Sequence, residues 1–552
     1  VTSIASTFSS AGAGWLDRIA ASRGLAARQA SLSGGVTSSS GGTSGVTQVT
    51  LGAANGQDAG PVVYTRPVYA LQPQRAWGAT PEKGDTISAL MSRNLGNSAT
   101  LTLADQWRGL GGALLSRFAQ APETYQQSLV SYLAPVADAA GVEGVGAADA
   151  AAAAVDDSEA AAAQALSGLA TGAATVGMSI RTRSGEAIEL KILVNSGASG
   201  GPGLQVEIRG SDKLSAEEKD AVAGLASGLD KALEGLGQRK AARLDLSGLT
   251  GFDSGVLAGI DLKVENPQVG AAVESFALHL GTDKRTLALD GAAGEVNLVV
   301  DAAMPLGDVA PVRRWASIHQ YLEKMEAAGA RSHVDRQVLE QMKDAFRFLQ
   351  AVGTPPEDEE APKAGSSGSS GSSGTSGSSG PAGASAPSGA GVADGTEAVE
   401  VPRETAAQAL QSGLADFDVS FESDFRKLNR YGAAREAGHA RYHLSQSTVT
   451  TANAVTGGQS IGQTVSEQLE STWQRSLDGG TLRVDLGNYT AHVVKDSSTV
   501  ATLIEASADG VAHGLRKTDR QQSQADSTIV DHHLAGTTGT PVHQTWVERL
   551  FR

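Results

Sequence analysis

The spacing of apolar positions changes along the chain, and each change predicts a different element. Between residues 85 and 133 apolar side chains recur at helical intervals. Asp85 can cap a helix carrying Ile87, Leu90, Met91 and Leu95. A second helix is expected around Trp107, Leu110, Leu114, Leu115 and Phe118. Pro122 sits where a first helical turn tolerates proline, and predicts a third with Tyr125, Leu129 and Leu133. From Met178 the period becomes two. Ile180 and Thr182, then Ile188, Leu190, Ile192 and Val194, then Leu204, Val206 and Ile208 read as strands, with Ser184-Gly185 as a hairpin turn. Ser215 and Glu218 form a capping box before one long helix with Val222, Leu225, Leu229, Leu233 and Leu236 on one face. Further strands are expected at 262–264, 276–280, 287–289 and 296–300, and Asp290-Gly291 reads as a turn. Two helices follow, one with Val312, Trp315, Ile318, Leu322 and Met325, the other with Val334, Val338, Met342, Phe346 and Leu349. The short connection at 329–333 makes them an antiparallel hairpin.

Periodicity then stops. From Gly365 to Gly380 the chain reads GSSGSSGSSGTSGSSG, and Gly/Ser/Ala/Pro composition continues to Gly395. Such a tract buries no apolar surface to offset the entropy of ordering it, and it reads as a flexible, protease-sensitive tether. Beyond it alternation returns. Leu482, Val484 and Leu486 predict a strand, Gly487-Asn488 a tight turn, and Tyr489, Ala491 and Val493 the returning strand. Lys495 to Ser498 read as a turn into Val500, Thr502 and Ile504, and Asp509-Gly510 as another hairpin. Ile461, Val465, Leu469 and Trp473 recur every fourth residue, a spacing that suits a helix face and a strand face alike. The Ser/Thr/Gln-rich flanks favour a long polar strand.

These elements predict an α+β chain: N-terminal helices plus an antiparallel sheet with packed helices, then a separate, mainly antiparallel β domain after a disordered Gly/Ser linker. The expected divisions are a mostly disordered Ser/Gly/Ala-rich region at 1–79, an α+β domain at 80–352, the linker at 353–402 and a β-rich meander at 403–552.

Composition narrows the function. A formal charge of −16 disfavours nucleic acid and anionic lipid, which need clustered Lys and Arg. The chain has no cysteine, which excludes disulfides, thiolate catalysis and Cys-ligated metals. No membrane span is expected, because the Ala-rich stretch at 147–174 is broken by Asp149, Asp156, Asp157 and Glu159. The first residues lack a basic stretch followed by an unbroken apolar one, so they do not read as a cleavable signal. The localisation then expected is cytoplasmic, or outside the cell either by a signal-less route or with a signal removed before this numbering begins.

Candidate chemistry is sparse. Gly197-Ala-Ser199-Gly-Gly201 matches a nucleophile elbow, but the alternation that follows predicts a strand where that motif requires a helix. Seven histidines follow the linker: His439, His443, His492, His513, His532, His533 and His543. His439 and His443 have the spacing of helical metal ligands, yet residue 440 is Ala where a metalloprotease carries its Glu, and the segment reads as a strand. Asp531-His532-His533 is the densest cluster, but adjacent histidines on a strand point to opposite faces. Glu357 to Glu360 is an acidic run without the ligand alternation of a calcium loop. No phosphate-binding glycine loop or dinucleotide fingerprint is present. No catalytic, cofactor-binding or metal residue is therefore assigned, and no cofactor is expected. The reading that remains is a non-enzymatic interaction or structural protein, exported without a cleaved signal, with a protein partner. The alternatives are a hydrolase or metal-dependent enzyme with a His-bearing site in the C-terminal β domain, and a cytoplasmic two-domain regulator.

Overall fold

A computed structural model of the chain describes residues 70–96, 101–136, 158–197, 201–238, 243–268, 270–302, 311–350, 412–453, 458–506 and 512–550. The Gly/Ser linker, the acidic run at 357–360, Ser199 and Asp509-Gly510 lie outside these residues.

The fold is α+β, with helices packed on one face of a large antiparallel sheet. β1 (Ala70–Trp77) pairs with β2 (Tyr125–Val136), and between them run α1 (Thr86–Leu95), α2 (Leu103–Trp107) and α3 (Leu110–Gln120). β3 (Ala174–Thr182), β4 (Ala187–Gly197) and β5 (Gly201–Gly210) follow, then α4 (Ala216–Gly224), α5 (Ala226–Leu236) and the single turn α6 (Ser247–Thr250). β6 (Leu257–Glu265), β7 (Ser275–Gly281), β8 (Lys284–Gly291) and β9 (Gly294–Asp301) form a meander. α7 (Pro311–Ser332) and α8 (Arg336–Gln350) close this first region. After the linker come β10 (Phe417–Leu428), β11 (Ala434–Asn453), β12 (Gly458–Ser476), β13 (Tyr489–Ala506), β14 (Ala512–Val530), β15 (His533–Gly539) and β16 (Val542–Arg549). Among the described residues no helix is long and apolar enough to cross a membrane.

The later strands are a distinct β region, without an α-helix among its described residues, and they are joined to the first sheet edge to edge. β10 pairs with β9 from Phe417 opposite Val300 to Glu422 opposite Glu295. The strand order is β1-β2-β5-β4-β3-β6-β7-β8-β9-β10-β11-β12-β13-β14-β15, with β16 also on β14. β15 and β16 lie end to end along the same edge of β14, interrupted at Pro541, a residue without the N–H a ladder needs. α8 covers the seam. Phe346 meets Phe417 edge-on at 4.9 Å, and Tyr321 of α7 meets Phe417 at 5.1 Å.

One row of directly opposed residues crosses the sheet on the helix-covered face. It runs Leu190, Met178, Leu262, Leu278, Leu287, Leu298, Val419 and Leu444, and then continues Glu467, Ser498, Arg520 and Gln544. The row is apolar as far as β11 and polar from β12 outward. Side-chain direction has period two along every strand, so the face is the same throughout. What changes is the cover: α7 lies over β12 and grips β13 at one end, where Arg331 meets Asp496.

Several local expectations are corrected. Tyr125–Val136 is strand β2 and not a third helix: a four-residue apolar interval is also two strand repeats, and pairing to β1 and β5 decides between them. Of the stretch 1–79 expected to be mostly disordered, residues 1–69 lie outside those described, and β1 occupies its last part. The capped helix is two helices divided at Leu225, although the capping box itself forms. Residues 484–486 make a single 3₁₀ turn, and 495–498 run straight through β13. Asp531 and His532 occupy a left-handed turn, with φ of 48° and 65°, where a strand was assumed. The ambiguous 461–473 segment is strand β12.

Candidate binding cleft

The histidines are distributed along the sheet, most of them beside a carboxylate on a neighbouring strand. His439 Nδ1 lies 2.9 Å from Asp424, His443 Nε2 2.7 Å from Asp418, His492 Nδ1 2.7 Å from Asp526 and His543 Nε2 3.3 Å from Asp519. His513 and His533 are exposed on β14 and β15, and the main-chain N–H of His532 donates to the Gly487 carbonyl. The structure does not bring His532 together with His443, His492 and His513. Among the described residues no three His, Asp or Glu side chains are grouped to hold a metal ion. The strands flanking Ser199 pair as a hairpin, Gly197 opposite Gly201.

Polar chemistry does converge where the α7–α8 turn meets the sheet. His333 takes a left-handed conformation, with φ of 59°, at that turn. Its ring stacks on Trp473 at 4.4 Å, and Trp473 stacks on His492 at 4.9 Å. His333 Nδ1 lies 2.8 Å from the fully buried Glu436, which also accepts from Lys427 and Arg475. Burial pushes the Glu436 carboxyl up, but these hydrogen bonds outweigh it and hold the group at about 2. Ser471 donates to the Ser332 carbonyl at 2.7 Å, and Arg331 grips Asp496 with two nitrogens. Non-glycine residues with positive φ persist when their surroundings over-determine them. This cluster anchors the helical hairpin on β11, β12 and β13.

The anchoring leaves a cleft of about 640 Å³ open between α7 and the outer strands. Its floor is the polar continuation of the sheet face, with Gln463 of β12, Ser498 and Thr502 of β13, and Thr518 of β14. Arg516, Thr518 and Arg520 alternate along β14, so all three point to this face. Trp546 of β16 stands directly opposite Thr518 and is 45% exposed. The helix wall contributes Arg313 and Lys324. The lining acids are already engaged: Glu467 accepts from Lys324 at 3.3 Å and from the Tyr442 hydroxyl at 3.1 Å, and Glu548 lies 3.8 Å from Arg516. No ion pair holds Arg520 among the described residues. The cleft is thus a cationic, hydrogen-bonding concavity in a chain whose formal charge is −16.

None of these lining residues stands out in the sequence. The available signal was the alternation Arg516-x-Thr518-x-Arg520, which puts two cations on one strand face. Its meaning depends on which face α7 leaves uncovered, a tertiary fact. No protein-family model, curated protein or solved structure matches the chain.

Proposed function

We propose that this chain is a non-enzymatic interaction protein that receives a protein partner on the cleft and the bare sheet beyond it. The observation that carries the reading is the state of β15 and β16, in which every residue is exposed although the strands are paired to β14 along their length, save a bulge at Ala535. A sheet face normally buries its apolar side chains against a second layer. Here Leu534 and Val547 are 66% and 63% exposed, and Leu515, Val530 and Val542 are also uncovered. Val530 and Val542 share the cleft face, whereas Leu515, Leu534 and Val547 lie on the opposite face of the same strands, so this end of the sheet leaves apolar surface uncovered on both faces, as at an interaction site.

Because the chain is cysteine-free, one introduced thiol is a unique label. Gln544→Cys, carrying a benzophenone, should form a discrete adduct in cells, and the same label at Lys263 on the first region should not. Excess unlabelled chain should compete the adduct away. Equal labelling at both sites, or none at Gln544, overturns the reading.

A further inference from the structure

We infer that the cleft between α7 and β12–β16 recognises an acidic peptide segment, with carboxylates paired to Arg516 and Arg520 and an apolar residue seated on Trp546. The inference rests on the interaction reading above and names what that site takes.

Charge complementarity selects the occupant. Lys324, Arg516 and Arg520 face the cleft, against Glu467 and Glu548. Both acids have cationic or hydroxyl partners inside the protein, and Arg520 has no carboxylate partner among the described residues. A net positive concavity in an acidic molecule focuses anions and repels the remainder of its own surface. Arginine is suited to this task, because its planar fork matches a carboxylate with two parallel hydrogen bonds.

Register sets the spacing. Arg516 and Arg520 lie two strand repeats apart, roughly 13 Å at the rise of an extended chain. A peptide lying along β14 would place carboxylates four residues apart opposite them. Trp546, across from Thr518, sits midway between the two arginines. Exposed tryptophan flanked by arginine is the composition that dominates binding energy at protein interfaces. The floor suits a peptide too. Ser498, Thr502, Thr518 and Gln463 offer neutral donors and acceptors to main-chain amides, and an aliphatic ligand would leave them unsatisfied. A nucleic-acid strand would require successive stacking platforms along a basic track, whereas Trp546 is the exposed aromatic of this cleft.

The full chain and a fluorescein-labelled octapeptide, Glu-Glu-Leu-Gly repeated twice, provide the test by fluorescence anisotropy. Saturable binding is expected, weakened about tenfold by Arg520→Gln and about tenfold by Trp546→Ala. Both side chains are solvent-exposed, so both variants should keep the parent Tm. Arg209→Gln, on the far part of the sheet, should bind like the parent. The glutamine version of the peptide should bind at least tenfold more weakly, and 0.5 M salt should weaken the glutamate peptide. Equal binding of the two peptides, or binding indifferent to both variants, overturns the inference. So does displacement by millimolar inorganic phosphate, which would mean a simple anion site, or tighter binding of a thymidine oligonucleotide. Concentration-dependent self-association lost in Arg520→Gln would assign the cleft to a second copy and also overturn it. Failure here with the Gln544 adduct intact leaves the interaction reading standing; loss of both removes it.

Discussion

The inner and outer halves of one continuous sheet obey different rules. In β3 and β4 alternate residues are buried against α1–α5, and the facing core contains Leu110, Leu114, Phe118, Leu229 and Leu233 at 1% exposure or less. In β13 and β14 the same face carries Ser498, Thr502, Arg516 and Arg520, and β15 and β16 bury nothing. Backbone pairing is as complete outside as inside. β12, β13 and β14 are 19, 18 and 19 residues long and register without interruption along their shared edges. Hydrogen-bond ladders therefore extend the sheet, while hydrophobic burial stabilises it. The outer strands draw their stability from the inner ones and leave their side chains exposed.

The seam between the halves should show the largest effect. Phe421 of β10 is buried and stacked on Tyr442 at 5.6 Å. Phe421→Ala should cost about 3–5 kcal/mol by urea denaturation. The seam also determines what proteolysis of the linker does. Cleavage between residues 353 and 402 should yield two fragments that co-elute on size exclusion, because β9–β10 pairing and the Phe346–Phe417 contact still join them. Separate elution would show that each half is stable alone and that the seam contributes little.

Within the inner half, Leu229→Ala should cost about 2–5 kcal/mol, since the residue is fully buried on the capped helical pair. Leu534→Ala at the outer edge should stay within about 0.5 kcal/mol of the parent, being 66% exposed. Similar losses at the two sites would erase the contrast.

Acid should strike the junction selectively. An unfolded Glu436 takes up its proton near the ordinary value of 4.5, the folded one only near 2. Between those values the unfolded state binds more protons, so stability held above pH 4.5 is lost as the pH falls toward 2. The contribution is at most about 3 kcal/mol. Denaturation midpoints of the parent and Glu436→Gln should differ at pH 6 and converge near pH 2. A constant gap across that range would exclude Glu436 as the titrating group.

The inner half was the more legible from sequence because it is the more buried. Where burial dictates side chains, alternation and capping appear plainly: Ser215 and Glu218 form their box, and the strands from Ile188 to Val300 lie where the period-two pattern places them. Where burial is partial, the signal thins. Tyr125, Leu129 and Leu133 share a strand face as readily as a helix face, and Leu133 ends up 58% exposed. Lys495–Ser498 resemble a turn because β13 is polar there, yet Arg331 holds Asp496 in the middle of that strand. The cleft was illegible because Arg516, Arg520 and Trp546 acquire their common setting from the limit of α7 cover, which no local pattern encodes.

The smallest effect expected is at the outer histidine pairs. His443 and Asp418 sit on the uncovered face of β11 and β10, with side chains 37% and 56% exposed. A pair in water gains little Coulomb energy, loses side-chain entropy and is screened by salt. His443→Ala should therefore cost about 0.2–1 kcal/mol at low salt, and less at 0.5 M salt. The same substitution would behave differently if His443 belonged to a metal or catalytic centre. It would then change metal content, and its effect would survive high salt. Elemental analysis of untagged parent and variant, set beside denaturation at two salt concentrations, separates these outcomes. A salt-independent loss accompanied by loss of about one equivalent of zinc would favour a metal-dependent role for the outer sheet over the recognition proposed for it.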